Sequence, residues 1–254
     1  MKVYAIAVNT FKEVIRDKIF YSLVFFALLI LGMSVIMSAL TVGERAKIIE
    51  DLSLAGISIF GIIISIFVGI GLVSKELEKK TIYTIISKPI QRYEFLLGKY
   101  LGLALVLLAY ISVMTLVFLV VLLLSTGVLG VGLLPAVLLI YVELLVVTAA
   151  ALLFSTFSTP TLSATYTLAL YIIGHLTSDL KGLAAKAGAE SAKAVLEFLY
   201  YALPNLENFN IKGKVVHDVP VGAAYMFMAA GYGAFYVCAL LLLAALIFQK
   251  RNFK

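Results

Sequence analysis

The feature that most constrains this chain is a set of long apolar runs without a charged residue. Residues 52–73 and 101–124 contain no Asp, Glu, Lys or Arg. Each run is long enough to cross the roughly 30 Å hydrocarbon core of a bilayer as a helix. Of the 254 residues, 63% are hydrophobic and only 13% are charged, which is far from the composition of a soluble domain. We therefore expect an all-α polytopic membrane protein, with the lipid bilayer as its surroundings.

The pattern of apolar runs predicts six transmembrane helices in a single domain over residues 1–254. The expected spans are residues 20–40, 52–73, 100–124, 133–155, 161–177 and 223–248. The fifth span has only about the minimum length needed to cross a bilayer. The longest polar segment, residues 178–221, is expected to form a small extracytoplasmic helical cap between spans five and six.

The residues before the first span predict a separate interfacial element. Residues 1–18 place apolar side chains at helical spacing, with Lys, Arg, Glu and Asp at the other positions. This pattern is typical of an amphipathic helix lying in the membrane surface. The alternative is a simple cytoplasmic extension of the first span.

The distribution of basic residues predicts the orientation. Residues 75–99 lie between spans two and three and hold six of the chain's twenty basic residues, namely Lys75, Lys79, Lys80, Lys88, Arg92 and Lys99. Basic loops stay in the cytoplasm, and six spans put both termini on that side, in agreement with the basic residues after position 249. We expect a multi-pass plasma-membrane protein.

The net charge of +6 is explained by these loops and by anionic lipid, so no nucleic-acid partner is expected.

The loop at residues 75–99 has the pattern of a docking surface. A helix leaving the membrane is broken at Pro89, and a second helix is expected to begin near Gln91. An apolar ridge is flanked by Glu and Lys, and it consists of Ile82, Ile85, Ile86, Tyr93 and Phe95. Such a surface fits a groove on a soluble partner; the alternative is an ordinary interfacial loop.

One acid lies deep inside a predicted span. Glu143 is near the middle of span four, where a charge costs about 2.5–3.5 kcal/mol on insertion scales. Two interpretations remain open: a residue of the translocation path or dimer interface, or a carboxyl group hydrogen-bonded to a neighbouring helix. His175, near the outer end of span five, is expected at a different depth. This difference argues against an intramembrane hydrolase, which needs polar groups converging at one depth.

The sequence predicts neither a metal centre nor a nucleotide site. Met33 with Met37, and His217 with Asp218, are each better explained by packing or surface exposure than by metal binding. Gly98-Lys99 lacks the upstream glycine of a phosphate-binding loop. A Gly-x-Ser-x-Gly nucleophile motif is also missing from the sequence. We expect no enzymatic activity and no cofactor on this chain.

Three motifs in the charged loop resemble a known family. Glu76-x-Glu78-x-x-Thr81, Ser87-x-Pro89-x-x-Arg92 and Gly98-Lys99 are similar to the first cytoplasmic loop of ABC-2-type exporter permeases. The closest branch contains the permease that helps to mature nitrous oxide reductase, described as multicopper enzyme maturation permeases. The runs at residues 203–210 and 248–253 are also similar to that branch. Lys80 and Gln91 depart from the pattern, where a glycine and a small hydroxyl residue are usual.

The resemblance implies a permease subunit that pairs with a second copy, as a homodimer, or with a sibling. It also implies two cytoplasmic ABC ATPase subunits, which carry ATP and Mg, and an extracytoplasmic partner protein is compatible with it. Cargo, including copper or sulfur species, and direction stay open. The alternatives are a membrane anchor for a soluble complex and an intramembrane hydrolase. The residues implied in ATPase coupling are Glu76, Glu78, Thr81, Ile82, Ile85, Pro89, Arg92, Glu94, Gly98 and Lys99.

Overall fold

The computed structural model describes residues 2–40, 44–78, 91–177, 193–194, 200 and 203–250, with residues 73–78 described by their backbone alone. Every regular element in these ranges is helical. Short 3-10 helices lie at Val131–Leu133 and Leu206–Phe209. The α-helices are α1 (Lys2–Ile15), α2 (Lys18–Ala39), α3 (Arg45–Glu78), α4 (Arg92–Thr126), α5 (Leu134–Phe157), α6 (Pro160–His175), α7 (Lys212–Val216) and α8 (Ala223–Lys250).

Five of the described helices are long and apolar enough to cross a membrane, namely α2, α3, α4, α5 with its preceding 3-10 turn, and α8. The fifth expected span differs. It coincides with α6, which has 16 residues and is therefore about 24 Å long at 1.5 Å per residue. That is shorter than the roughly 30 Å hydrocarbon core. Length and composition thus identify five spans among the described residues, and the sixth expected span is not confirmed.

A turn at Asp17 separates α1 from α2. The backbone of Asp17 is extended, with ψ at 129°, and its carboxylate accepts a hydrogen bond from the backbone N–H of Ile19 at 2.9 Å. Asp is a favoured N-cap because its side chain satisfies an otherwise unpaired amide of the first turn. The amphipathic segment is therefore a helix in its own right, and the alternative of a continuous extension of the first span is wrong.

The helices of the bundle have two distinct ends. At one end, α1 packs along the first half of α4, close to the last turn of α8. At the other end, α7 contacts α3 and the 3-10 helix Val131–Leu133. We call these the α1 end and the α7 end. Helices α5 and α8 both run from the α7 end to the α1 end.

Helix α5 is the centre of the bundle and contacts α3, α4, α6 and α8. Small residues permit these close approaches. Ala149, Ala150 and Ala151 are completely buried, and a Cβ added at Gly61 of α3 would lie 2.5 Å from Leu144. Gly61 thus marks a close contact between α3 and α5. At Gly71, by contrast, an added Cβ meets no atom within 4 Å among the described residues.

The expected cap is described only in its second half. Residues 203–216 do not rest on top of the spans; their apolar side chains are inserted among α5, α6 and α8. Leu206, Phe209, Ile211 and Val216 are each at most 1% exposed. The amphipathic helices expected between residues 183 and 199 lie largely outside the described residues, so a cap helix is not confirmed.

Candidate functional site

At the α1 end, two glycines one helical turn apart let α1 lie directly on α4. A Cβ added at Gly98 would be 2.6 Å from Cβ of Ile6, and one added at Gly102 would be 2.6 Å from Cβ of Thr10. The latter would also lie 2.7 Å from the carbonyl oxygen of Ala7. Any larger residue at these positions forces the two helices apart.

Lys99 lies between these glycines and is buried in the same contact. The residue is 1% exposed, and its Nζ is 3.5 Å from Oε2 of Glu13 on α1. The ammonium group also lies 5.8 Å from the centroid of the Phe95 ring. A buried ammonium needs a compensating charge and hydrogen bonds. Lys99 therefore faces α1 and the interior of this chain.

Arg92 joins the first turn of α4 to the last turn of α8. Its Nη1 donates to the carbonyl oxygens of Phe248 at 2.8 Å and of Gln249 at 3.1 Å. The rings of Phe95 and Phe248 stack beside this contact, with centroids 6.2 Å apart. A cation at the carboxyl end of a helix is favourable because the last carbonyl groups have no partner within the helix. Phe95 was expected on an exposed ridge, but it is buried against α8.

Glu94 organises the beginning of α4. Its Oε2 accepts a hydrogen bond from the backbone N–H of Gln91 at 2.9 Å and lies 3.9 Å from Nζ of Lys2. An acid three residues into a helix that reaches back to the N-cap amide is half of a capping box. The predicted start of the second loop helix near Gln91 is confirmed. We call Arg92, Glu94, Gly98 and Lys99, with their contacts on α1 and α8, the α1-end cluster.

The residues predicted for coupling thus divide into two groups. Thr81, Ile82, Ile85 and Pro89 lie outside the described residues, and Glu76 and Glu78 lie in the last turn of α3, where only the backbone is described. The remaining four, namely Arg92, Glu94, Gly98 and Lys99, hold α4 against α1 and α8.

A second polar cluster lies inside the bundle around Glu143. This residue is completely buried, and its Oε1 lies 2.8 Å from Nε2 of His175. The other ring nitrogen of His175, Nδ1, lies 3.0 Å from Oε2 of Glu207. Nδ2 of Asn210 donates to both carboxylate oxygens of Glu207, at 3.0 and 3.2 Å. We call Glu143, His175 and Glu207 the buried triad.

The expectation that Glu143 and His175 lie at different depths is wrong. Helix α5 ends at Phe157 and α6 begins at Pro160, so the two helices form a hairpin. Glu143 lies about 21 Å before the end of α5, and His175 lies about 22 Å after the start of α6, at 1.5 Å per residue. A fifth span that crossed the whole bilayer would place His175 near the outer surface. Helix α6 is shorter than that, and it ends at the depth of Glu143. Of the two interpretations of Glu143, the hydrogen-bonded carboxyl agrees with the described contacts.

No role for Glu207 was predicted from the sequence. It lies in the 3-10 helix Leu206–Phe209, whose N-cap Asn205 accepts a hydrogen bond from the backbone N–H of Glu207 at 3.1 Å. A buried acid such as Glu143 needs polar partners, and this need is the signal that could have pointed to Glu207. Glu207 belongs to the Asn-rich run at residues 203–210, within the long polar segment that follows α6.

Tyrosines of α8 satisfy the irregular backbone of residues 203–210. The hydroxyl of Tyr232 accepts from the backbone N–H of Asn205 at 2.8 Å, and the hydroxyl of Tyr225 donates to the carbonyl of Asn208 at 2.7 Å. Non-helical backbone within a membrane protein is tolerated where protein groups satisfy it. The segment is also held tightly at Gly174, where an added Cβ would lie 2.7 Å from Leu206.

Lys212 supplies positive charge near the buried triad. Lys212 interacts electrostatically with the carboxylates of Glu143 and Glu207, and its charge offsets part of theirs.

No group of three or more His, Cys, Asp or Glu in the described residues is arranged to hold a metal ion. The methionines considered for copper, Met33 and Met37, are each about half exposed on α2. His217 and Asp218 are exposed in the turn that follows α7.

Five apolar helices of spanning length, with α5 at their centre and a buried polar cluster beside it, define a multi-pass helical membrane protein. The chain matches the sequence profile of the ABC-2 family transporter proteins over residues 4–252, and it belongs to this family. It is thus an ABC transporter membrane component of the permease type, and such permeases are generally not enzymes. A search of the curated proteins finds no match.

Proposed function

We propose that this chain is the membrane subunit of an ABC exporter, which works as a homodimer with two cytoplasmic ATPase subunits that bind ATP and Mg. The observation that carries the proposal is the α1-end cluster. Residues 79–90 lead directly into Arg92, which is bound to the end of α8, and into Gly98 and Lys99, which are packed on α1. A displacement of this loop is therefore transmitted to three helices together.

The charge distribution supports a cytoplasmic location for the α1 end. In helices α1 to α8, the basic residues at the α1 end are Lys2, Lys12, Lys18, Lys75, Arg92, Lys99 and Lys250, and those at the α7 end are Arg45, Lys47, Lys212 and Lys214. Basic segments next to spans favour the cytoplasmic side. The ATPase subunits then meet this end, and the buried triad opens toward the opposite face.

The direction of the helices supports a sixth crossing. Helices α5 and α8 run in the same direction, so the chain returns across the bundle between Phe157 and Ala223. We assign the first part of this crossing to α6 and the remainder to the residues that follow it, among which 203–216 are inserted in the bundle. Six crossings put both termini in the cytoplasm.

The finer assignment, to the branch of multicopper enzyme maturation permeases, rests on the resemblance at residues 203–210 and 248–253. The first of these runs contains Glu207, Asn208 and Asn210, which hold the inserted segment in place. The second begins at Phe248, whose carbonyl binds Arg92. Both runs therefore make contacts inside this chain.

An intramembrane hydrolase is the weaker alternative, although the depth argument against it fails. Both ring nitrogens of His175 are hydrogen-bonded to carboxylates. A histidine that activates a nucleophile needs one nitrogen facing a hydroxyl or thiol group. The described contacts of His175 leave no nitrogen for this task.

Co-purification with an ABC ATPase encoded beside this chain tests the proposal. Glu78→Lys reverses a charge in the loop predicted to dock the ATPase, and Glu44→Lys is the matched control at the α7 end. We expect the wild type and Glu44→Lys to retain the ATPase, and Glu78→Lys to lose it while still inserting in the membrane. Equal retention by Glu78→Lys, or no ATPase bound to the wild type, contradicts the docking surface.

A second variant separates docking from transmission. Arg92→Gln removes the contact between α4 and α8 but leaves the loop's charge pattern otherwise unchanged. We expect it to retain the ATPase while reducing the stimulation of ATP hydrolysis in the complex. An ATPase that binds the wild type without any stimulation indicates the anchor function instead.

A further inference from the structure

We propose that Glu143 is an intramembrane proton-binding site, loaded from the α7 end of the bundle through Glu207 and His175. This inference goes beyond the transporter function and does not depend on an ATPase. It rests on the geometry of the buried triad, which forms a continuous hydrogen-bonded chain from a partly exposed carboxylate to a completely buried one.

The exposure of the triad decreases in steps toward the interior. The side chain of Glu207 is 40% exposed, that of His175 is 20% exposed, and that of Glu143 is not exposed. The two links between them are 3.0 and 2.8 Å long. A proton taken up by Glu207 thus has an unbroken path of two hydrogen bonds into the bundle.

The number of protons in the triad follows from its two hydrogen bonds. A carboxylate is only an acceptor, and a neutral imidazole carries one N–H. Two bonds from the imidazole to carboxyl groups therefore require a second proton, which lies either on the ring or on one carboxyl group. While both contacts are hydrogen bonds, the triad therefore holds a proton that can occupy more than one atom.

The transfer conserves charge and protons. In the state before transfer, the protonated carboxyl group of Glu207 donates to Nδ1, and Nε2–H of His175 donates to the Glu143 carboxylate. The O–H bond of Glu207 breaks as an N–H bond forms at Nδ1. The Nε2–H bond breaks as an O–H bond forms on Oε1 of Glu143. Glu207 is then a carboxylate again, and the new Nδ1–H of His175 donates to it.

Glu143 is suited to be the end of this path. Its second oxygen, Oε2, is buried and has no hydrogen-bond partner among the described residues. A buried carboxylate oxygen without a donor is costly, and a protonated carboxyl group removes most of that cost. This unpartnered oxygen distinguishes Glu143 from Glu207, whose two oxygens both accept from Asn210.

The other titratable groups near the triad come from three helices. Tyr171 of α6 packs its ring edge against His175, with centroids 4.7 Å apart, and interacts electrostatically with Glu143. Lys212 of α7 interacts with both Glu143 and Glu207. Tyr225 of α8 faces Glu207, and its hydroxyl donates to a backbone carbonyl. When the triad holds two protons and Lys212 is charged, the four groups together are about neutral. One further proton on the triad makes their total charge positive.

Infrared difference spectroscopy of the full chain in lipid nanodiscs tests this site. The probe is the proton itself, and the readout is the C=O stretch of a protonated carboxyl group that rises on acidification. We expect this band in the wild type and in Glu50→Gln, which neutralises an acid of α3 outside the triad. We expect Glu143→Gln to remove it. A band that persists in Glu143→Gln, or no titrating band in the wild type, overturns the proposal.

Two further variants keep the test decisive if Glu143→Gln does not fold. Glu143→Asp retains a carboxyl group on a shorter side chain, so the band should shift in frequency; an unshifted band overturns the assignment. Glu207→Gln should keep the band at equilibrium and slow its rise after a pH jump. Loss of the band at equilibrium in Glu207→Gln places the proton on Glu207 and likewise overturns the proposal. None of these measurements involves an ATPase, so they are independent of the transporter proposal.

Discussion

Nη1 of Arg92 lies 2.8 Å from the carbonyl oxygen of Phe248, across 156 positions of sequence. The contact joins the helix that follows the charged loop to the last helix of the bundle. The stacked rings of Phe95 and Phe248 exclude water on one side of it. The end of α8 is therefore held by a tertiary contact with α4.

Replacing Arg92 by Gln should loosen this junction. The change removes two charge-assisted hydrogen bonds, and Arg92 is only half-buried, so we expect a cost of about 1–2 kcal/mol. The measurement is the thermal unfolding midpoint in nanodiscs, with Lys250→Gln as a control that removes an exposed charge from the same end. Equal midpoints for the two variants would contradict a structural role for the Arg92 contact.

Alanine at Gly102 should separate α1 from α4. The added Cβ meets Thr10 and the carbonyl of Ala7 below 3 Å, and backbone atoms cannot rotate away. Overpacking of this kind costs roughly 1–3 kcal/mol. Gly32→Ala on α2 is the matched control, because its Cβ meets no described atom within 4 Å and alanine favours helix by up to about 1 kcal/mol. We expect a lower unfolding midpoint for Gly102→Ala, and a midpoint equal to or above wild type for Gly32→Ala.

The Glu13–Lys99 pair should respond asymmetrically to mutation. Glu13→Gln leaves the buried ammonium of Lys99 without this carboxylate, whereas Lys99→Met removes the buried charge and leaves Glu13 accessible to water. Losing the partner of a buried charge costs more than losing the charge itself. We expect Glu13→Gln to lower stability by about 1–3 kcal/mol, and the double variant to recover part of the loss. A double-mutant cycle measures this coupling, and strictly additive effects would contradict it.

Phenylalanine at Tyr232 should destabilise the inserted segment. The Tyr232 hydroxyl is the described partner of the Asn205 amide, and a buried amide left unpaired costs about 1–3 kcal/mol. Tyr236→Phe removes a longer bond, of 3.4 Å, to the carbonyl of Leu203 and should cost less. Hydrogen exchange of the Asn205 amide in the two variants reports the difference. Equal protection in both would show that another group holds this amide.

Several elements of the protein follow from local sequence because one-dimensional patterns encode them. Uncharged apolar runs predict the long helices, since bilayer thickness sets their length. Pro89 followed by Gln91 predicts the restart of a helix there. The sequence also singled out Glu143, because an acid in an apolar helix requires an explanation whatever the fold.

The sequence by itself thus determined that this protein is a multi-pass helical bundle with one buried acid and one large charged loop. Only the tertiary structure decided what the key side chains contact. Arg92 and Lys99 had the pattern of partner-facing residues, but they bind α8 and α1, because a loop's composition does not reveal which helix lies beside it. Glu143, His175 and Glu207 meet because α6 is short and the chain after it is inserted in the bundle. This contact depends on how several helices are aligned along one another, and no single segment of the sequence encodes that alignment.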